Sequence, residues 1–187
     1  MKEIIGVSGT NGAGKDTFSN YAVRRTGGMQ IGLGSVLRNQ LSPGIIPTRE
    51  NLAQLSAGLR EKHGLAVLVD FAVSKFRTGD SKNLIINGIR HPAEAERIKE
   101  IGGIILWIDA PIALRYQRIT ENDRNRVEDR VSFAEFQAQE QEEMTSISES
   151  SVNLTVVRGL ADLALVNSYK TQREFEAKID ELFFRDE

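Results

Sequence analysis

The sequence predicts an open α/β sheet of parallel strands covered by helices on both faces. Three observations lead there. Short apolar runs recur between longer amphipathic segments, a glycine-rich loop joins the first such run to a helical pattern, and proline and glycine punctuate the segment ends. Strands are expected at 3–8, 29–33, 83–88, 103–109 and 162–167, and helices at 15–26, 34–41, 48–62, 65–77, 92–101, 111–121, 132–147 and 171–184.

The helix ends have local causes. Pro92 and Pro111 suit a first helical turn, where a missing N–H costs nothing, and Gly64 and Gly79 suit helix exits. Thr48, followed by Glu50 and Asn51, caps the helix it precedes, and Ser132 with Glu135 three residues on spells a capping box. The polar stretch from Ser146 to Thr155 reads as a connection to the last strand, and His91 reads as a loop residue. His63, before Gly64, fits a helix C-terminus; the two histidines are too far apart, and too far from acids at ligand spacing, to suggest a metal site.

With 187 residues, 40% of them hydrophobic, the chain is large enough for one domain with its own core, and no linker-like composition divides residues 1–187. A formal charge of −2 gives no global attraction to nucleic acid or to an acidic membrane surface, so any anion site must be built locally. The lack of cysteine excludes disulfides, thiolate catalysis and cysteine-based zinc sites, and it suits a reducing compartment. The opening residues lack a secretory signal, and no stretch approaches the about 20 apolar residues of a membrane span. A cytoplasmic protein without membrane or nucleic-acid partners is expected; the oligomeric state is not legible.

Chemistry enters at Gly9-Thr10-Asn11-Gly12-Ala13-Gly14-Lys15-Asp16-Thr17. The glycines let consecutive N–H groups turn inward towards phosphate oxygens, the helix starting near Lys15 adds its positive dipole end, and the Lys15 ammonium reaches the β and γ phosphates. Asp16 stands where the phosphate-loop pattern has a hydroxyl, so Thr17 is the nearer hydroxyl for a phosphate oxygen or a magnesium-bound water. Asp16 is a candidate magnesium ligand through water.

This loop resembles that of adenylate kinase and related nucleoside monophosphate kinases, and Gly12 to Thr17 looks like the phage-type deoxynucleoside monophosphate kinases. The resemblance implies a five-stranded sheet in the order 2-3-1-4-5, with ATP and Mg2+ as cofactors and small-molecule nucleotides as substrates. It implies an acceptor-binding helical region at about 34–78 and a short arginine-rich lid at about 121–131. Gly32-Leu33-Gly34-Ser35-Val36-Leu37-Arg38 is similar to the segment that meets the acceptor monophosphate, making Ser35 and Arg38 candidates. Asn87-Gly88-Ile89-Arg90 ends the third strand, and ligands of such sheets bind beyond the strands' carboxyl ends, so Arg90 joins them. The run from Thr48 to Gly64 resembles the acceptor-side helical region of adenylate-kinase-like or dephospho-CoA-kinase-like proteins, which makes Arg49, Gln54 and Arg60 candidates to line a base or phosphate pocket; their spacing also suits a solvated helix face.

Arg115 and Arg118 share one helix face, and Arg124, Arg126 and Arg130 follow in a polar turn. The resemblance gives Arg118, Arg124, Arg126 and Arg130 the task of stabilising transferred charge. The family's usual strand-end aspartate is replaced by Asn87; Asp109 is a second acid at the same edge, equally suited to capping the next helix. Asn167 and Ser168 stand where the donor adenine is met in the resembling kinases. Transfer to a nucleoside or deoxynucleoside monophosphate is expected, with dephospho-CoA kinase and a non-transferring ATP-binding regulatory module as alternatives.

Overall fold

The computed structural model describes residues 3–121, 131–145 and 151–184. Five strands, β1 (Ile4–Gly9), β2 (Met29–Gly32), β3 (Leu84–Ile89), β4 (Ile104–Asp109) and β5 (Leu163–Val166), form one sheet in the order β2-β3-β1-β4-β5. Every neighbouring pair is parallel. The helices are α1 (Lys15–Thr26), α2 (Leu33–Gln40), α3 (Arg49–His63), α4 (Val67–Arg77), α5 (Pro92–Glu100), α6 (Ile112–Glu121), α7 (Phe133–Thr145), α8 (Leu154–Gly159) and α9 (Gln172–Phe183). The expected architecture and strand order are those found.

Alternation along the strands divides their side chains between two cores. Ile4, Leu84, Ile86 and Ile105 face Val69, Phe76 and Ile98 of α4 and α5. Ile5, Val7, Ile85, Leu106 and Ile108 face Phe18 and Ala22 of α1 and Phe175 and Ile179 of α9. Fully burying one such isoleucine or phenylalanine contributes about 1.5–3 kcal/mol. Both faces of β1 are covered, and all six of its residues are buried, so it lies at the centre of the sheet.

The caps follow the sequence closely. The Thr48 hydroxyl accepts from the Asn51 N–H, and Ser132 and Glu135 bond reciprocally. Pro92 occupies the first turn of α5. Two expectations change. His91 is no mere loop residue: its Nδ1 accepts the Ala93 N–H as the N-cap of α5. Within the anticipated polar connection, α8 forms with Leu154 and Val157 buried and Asn153 accepting from the Val156 N–H. Six residues are too few for helical periodicity to stand out from a polar background.

One irregularity positions the site. The pairing of β1 with β3 passes from Val7–Asn87 directly to Ser8–Ile89, leaving Gly88 as an extra residue at φ 91°. A side chain is disfavoured there, and the bulge bends the strand end. The Ser8 hydroxyl fastens the displaced segment by donating to the Ile89 carbonyl at 2.6 Å. Because β1 lies between β3 and β4, Gly9, Arg90 and Asp109 come together along one carboxyl edge.

Candidate functional site

The phosphate loop is held from both sides. Gly12, at φ 79°, passes so close to α6 that an added Cβ would lie 2.6 Å from the Arg115 carbonyl oxygen. The Thr10 hydroxyl donates to the Asp109 carboxylate at 2.7 Å, and the same oxygen accepts the Ala110 N–H at 2.8 Å. Asp109 therefore steadies both the loop and the chain after β4. On the far side the Asn167 side-chain amide donates to the Ala13 carbonyl at 2.9 Å. Lys15 reaches back over the loop, its ammonium donating to the carbonyls of Gly9 and Thr10 at 2.9 and 2.6 Å.

Asp16 and Asn87, on different elements, meet: the Asn87 amide donates to the Asp16 carboxylate at 2.5 Å. The bond leaves the Asn87 amide oxygen buried and without a hydrogen-bond partner among the described residues. A carboxylate, a buried amide oxygen and the Thr17 hydroxyl one residue along α1 are hard oxygen donors of the kind magnesium and its bound waters take. The residues present fit that ion.

On α2, Arg38 folds back towards its helix's first turn, where a Cβ on Gly34 would lie 3.2 Å from its guanidinium. Ser35 is exposed on the same turn. Arg90 leaves β3 and donates to Glu143 of α7 at 2.5 Å; Arg49, opening α3, donates to the same carboxylate oxygen at 2.6 Å. Burial pushes the Glu143 carboxyl upward, but the Arg90 and Arg49 guanidiniums, with a smaller contribution from Lys15, outweigh it and hold the group below the usual glutamate range. Arg49 and Arg90 thus converge on one carboxylate oxygen.

The surroundings of Arg90 are fixed from beneath. Glu94 is 1% exposed; one of its oxygens accepts the N–H groups of Arg90 and His91, each at 3.0 Å, and the other accepts from Arg60 at 2.9 Å. Arg60, 4% exposed, is therefore part of the interior and not of a solvated helix face; burial against an anionic partner overrides the amphipathic pattern. Gln54 does remain on the exposed face, bonded to Glu50.

Of the arginines assigned to charge stabilisation, Arg118 donates to the carbonyls of Asn167 and Tyr169 and lies against the loop after β5. Arg124, Arg126 and Arg130 lie outside the described residues. Sequence reasoning gave no separate role to Arg115, which donates to the carbonyls of Ala110 and Asn11 and grips Glu140 of α7 with both terminal nitrogens. It also missed Glu143. Both glutamates stand in a run of Glu and Gln that reads as a solvated face, and only their three-residue spacing on one helix face hints at a shared role.

With this geometry in place, the relatives are informative. The sequence pattern of the AAA domain family matches residues 5–147. A UPF0200 protein of Hyperthermus butylicus is 32% identical over 184 residues, covering 97% of this chain and 94% of the relative. A UPF0200 protein of Saccharolobus islandicus is 27% identical over 183 residues, with 96% and 92% covered. Among solved structures, shikimate kinase from Acinetobacter baumannii superposes with a TM-score of 0.60 at 18% identity, covering 99% of this chain and 94% of that one. TT1252 from Thermus thermophilus gives 0.57 at 20% identity, with 96% and 97% covered. At these identities the structures speak to fold alone. The loop built on Lys15, the strand order and the length of the matches agree: this chain belongs to the AAA domain family, among the UPF0200 proteins, and has the P-loop kinase fold.

Proposed function

We propose that the protein transfers the γ-phosphoryl group of MgATP to a small phosphorylated acceptor, a nucleoside or deoxynucleoside monophosphate being the best fit. The observation that carries this reading is the meeting of Arg49 and Arg90, from α3 and the end of β3, on one oxygen of Glu143, whose ionised form Lys15 of the phosphate loop also favours; it supports an acceptor-phosphate pair beside the donor loop. A P-loop NTPase that only hydrolyses nucleotide has no need of the second group.

In this reading Lys15 exchanges the carbonyls of Gly9 and Thr10 for β and γ phosphate oxygens, and the backbone from Gly9 to Gly14 wraps the donor. Thr17, Asp16 and Asn87 would hold magnesium through water, and the ion when bound would neutralise charge on the donor phosphates. Ser35, Arg38 and Arg90 orient the acceptor, joined by Arg49. An acceptor oxygen forms a bond to the γ-phosphorus as the bond to the β-phosphate oxygen breaks, releasing ADP. The transition-state charge rests on the phosphoryl oxygens, so positioned cations supply most of the catalysis. Arg124, Arg126 and Arg130 serve that purpose, and Arg118 acts at one remove by fixing the Asn167–Tyr169 loop on the donor-base side.

The test is ADP formation from MgATP with nucleoside monophosphates, deoxynucleoside monophosphates, dephospho-CoA and shikimate, the last because its kinase shares the fold. Stimulation by a monophosphate, absent in Lys15→Ala, is expected. Stimulation by dephospho-CoA or shikimate alone moves the acceptor class. ATP binding with no stimulation by any acceptor refutes transfer and supports the regulatory alternative.

A further inference from the structure

Glu143 and Glu140 lie three residues apart on one face of α7, and each bonds arginines of other elements. Glu140 accepts from both terminal nitrogens of Arg115, which itself donates to the phosphate loop at the Asn11 carbonyl, 3.3 Å away. Glu143 presents a single oxygen to Arg49 and Arg90, guanidiniums separated by 41 positions in sequence and brought from α3 and the end of β3 to one point.

Two guanidiniums from distant segments meet on one carboxylate oxygen, which carries a single negative charge for both. A dianionic phosphoryl group offers more oxygens and more charge, and could engage each arginine through its own oxygen. Exposure separates this contact from a purely architectural one. The Arg60–Glu94 pair is sealed, with side chains 4% and 1% exposed, whereas Arg49, Arg90 and Glu143 are 24%, 33% and 15% exposed. An anion from solvent has access to the second group and none to the first.

We propose that Arg49 and Arg90 form a phosphate subsite whose internal occupant is Glu143, so that an arriving phosphate group displaces this carboxylate and loosens α7 from the crevice. The inference rests on the reading of Arg49 and Arg90 as acceptor-phosphate residues and adds a built-in competitor. Glu143 keeps the arginine pair neutralised and assembled, and it raises the concentration of acceptor needed to fill the subsite. The apparent dissociation constant is the intrinsic one divided by the fraction of molecules with the carboxylate withdrawn. Release of α7 accompanies occupation, since the phosphate and Glu143 use the same donors.

The experiment uses inorganic phosphate as probe, with calorimetry for affinity and amide hydrogen exchange over residues 133–145 for α7. Glu143→Gln is expected to bind phosphate about tenfold more tightly than wild type. The gain should vanish in the Glu143→Gln/Arg90→Gln double variant, which leaves the phosphate loop unaltered. Phosphate should raise α7 exchange in the wild-type protein, a readout that needs no variant to fold, and exchange should already be raised in Glu143→Gln without phosphate. Equal affinities in wild type and Glu143→Gln, a gain that survives loss of Arg90, or α7 exchange indifferent to phosphate would each overturn the subsite. Neither readout requires phosphoryl transfer. Displacement without transfer to any acceptor would refute the kinase reading and leave the subsite, whereas active transfer with unchanged affinities would refute the subsite alone.

Discussion

Replacing Glu94 by Gln keeps the shape of the side chain and removes its charge. In the folded protein Glu94 accepts three bonds, from Arg60, from the Arg90 N–H and from the His91 N–H, at 2.9, 3.0 and 3.0 Å. Glutamine has one accepting oxygen and cannot serve the guanidinium and the two backbone donors from opposite sides, so its amide nitrogen must confront one of them. Because Arg60 is almost fully buried, the stranded charge has no solvent to turn to. Breaking a buried pair from one side costs about 3–5 kcal/mol. For a chain of this length each kcal/mol moves the melting temperature by about 2–4 °C, so Glu94→Gln should melt roughly 6–20 °C lower. Urea denaturation followed by circular dichroism gives the free energy directly. Adding Arg60→Met, which removes the stranded guanidinium, should recover more than half of the loss. A loss below about 1 kcal/mol in Glu94→Gln, or a double variant no better than the single, would refute the claim that this pair holds α3 and the Arg90 segment together.

The carboxyl of Glu143 is depressed in the folded protein, so its ionic contribution is complete above the ordinary glutamate pKa of 4.5 and is lost as pH falls from there through its lower folded value. The stability advantage of wild type over Glu143→Gln should therefore hold at neutral pH and shrink on acidification below that point; an advantage that grows there contradicts the sign. Asn87→Asp sets a second carboxylate against Asp16, and its melting temperature should fall in chelator and recover with millimolar magnesium, a rescue that wild type does not need. Asn167→Ala removes the bond to the Ala13 carbonyl and one contact of Arg118, and is expected to raise the KM for ATP about tenfold while leaving that for the acceptor within about twofold; equal effects on both would remove Asn167 from the donor side.

The phosphate loop was legible because its signal is local. The apolar run Ile4-Ile5-Gly6-Val7, the loop to Thr17 and the helix after it are contiguous, and the backbone itself makes the cradle. The placement of Arg90 at a strand end was legible for a related reason: the apolar run before Asn87-Gly88-Ile89-Arg90 reads as a strand that ends there. The caps at Thr48 and Ser132 rest on residues three apart.

The partners of those residues could not be read in the same way. Glu143 lies 94 positions from Arg49 and 53 from Arg90, Asp16 lies 71 from Asn87, and Asn167 lies 154 from Ala13. Within each helix the charged members look like a solvated face, since periodicity reports which side of a helix is apolar and nothing about what packs against its polar side.

The sequence by itself determined the layered fold, the phosphate loop and the strand end that carries Arg90, because backbone conformation and apolar periodicity are set within a few residues. Tertiary structure alone decided that Arg60 is interior, that Asn87 and Asp16 pair, and that α7 places a carboxylate on Arg49 and Arg90. Those contacts require the strand order to bring distant segments to one edge, and only then does charge complementarity select the partners.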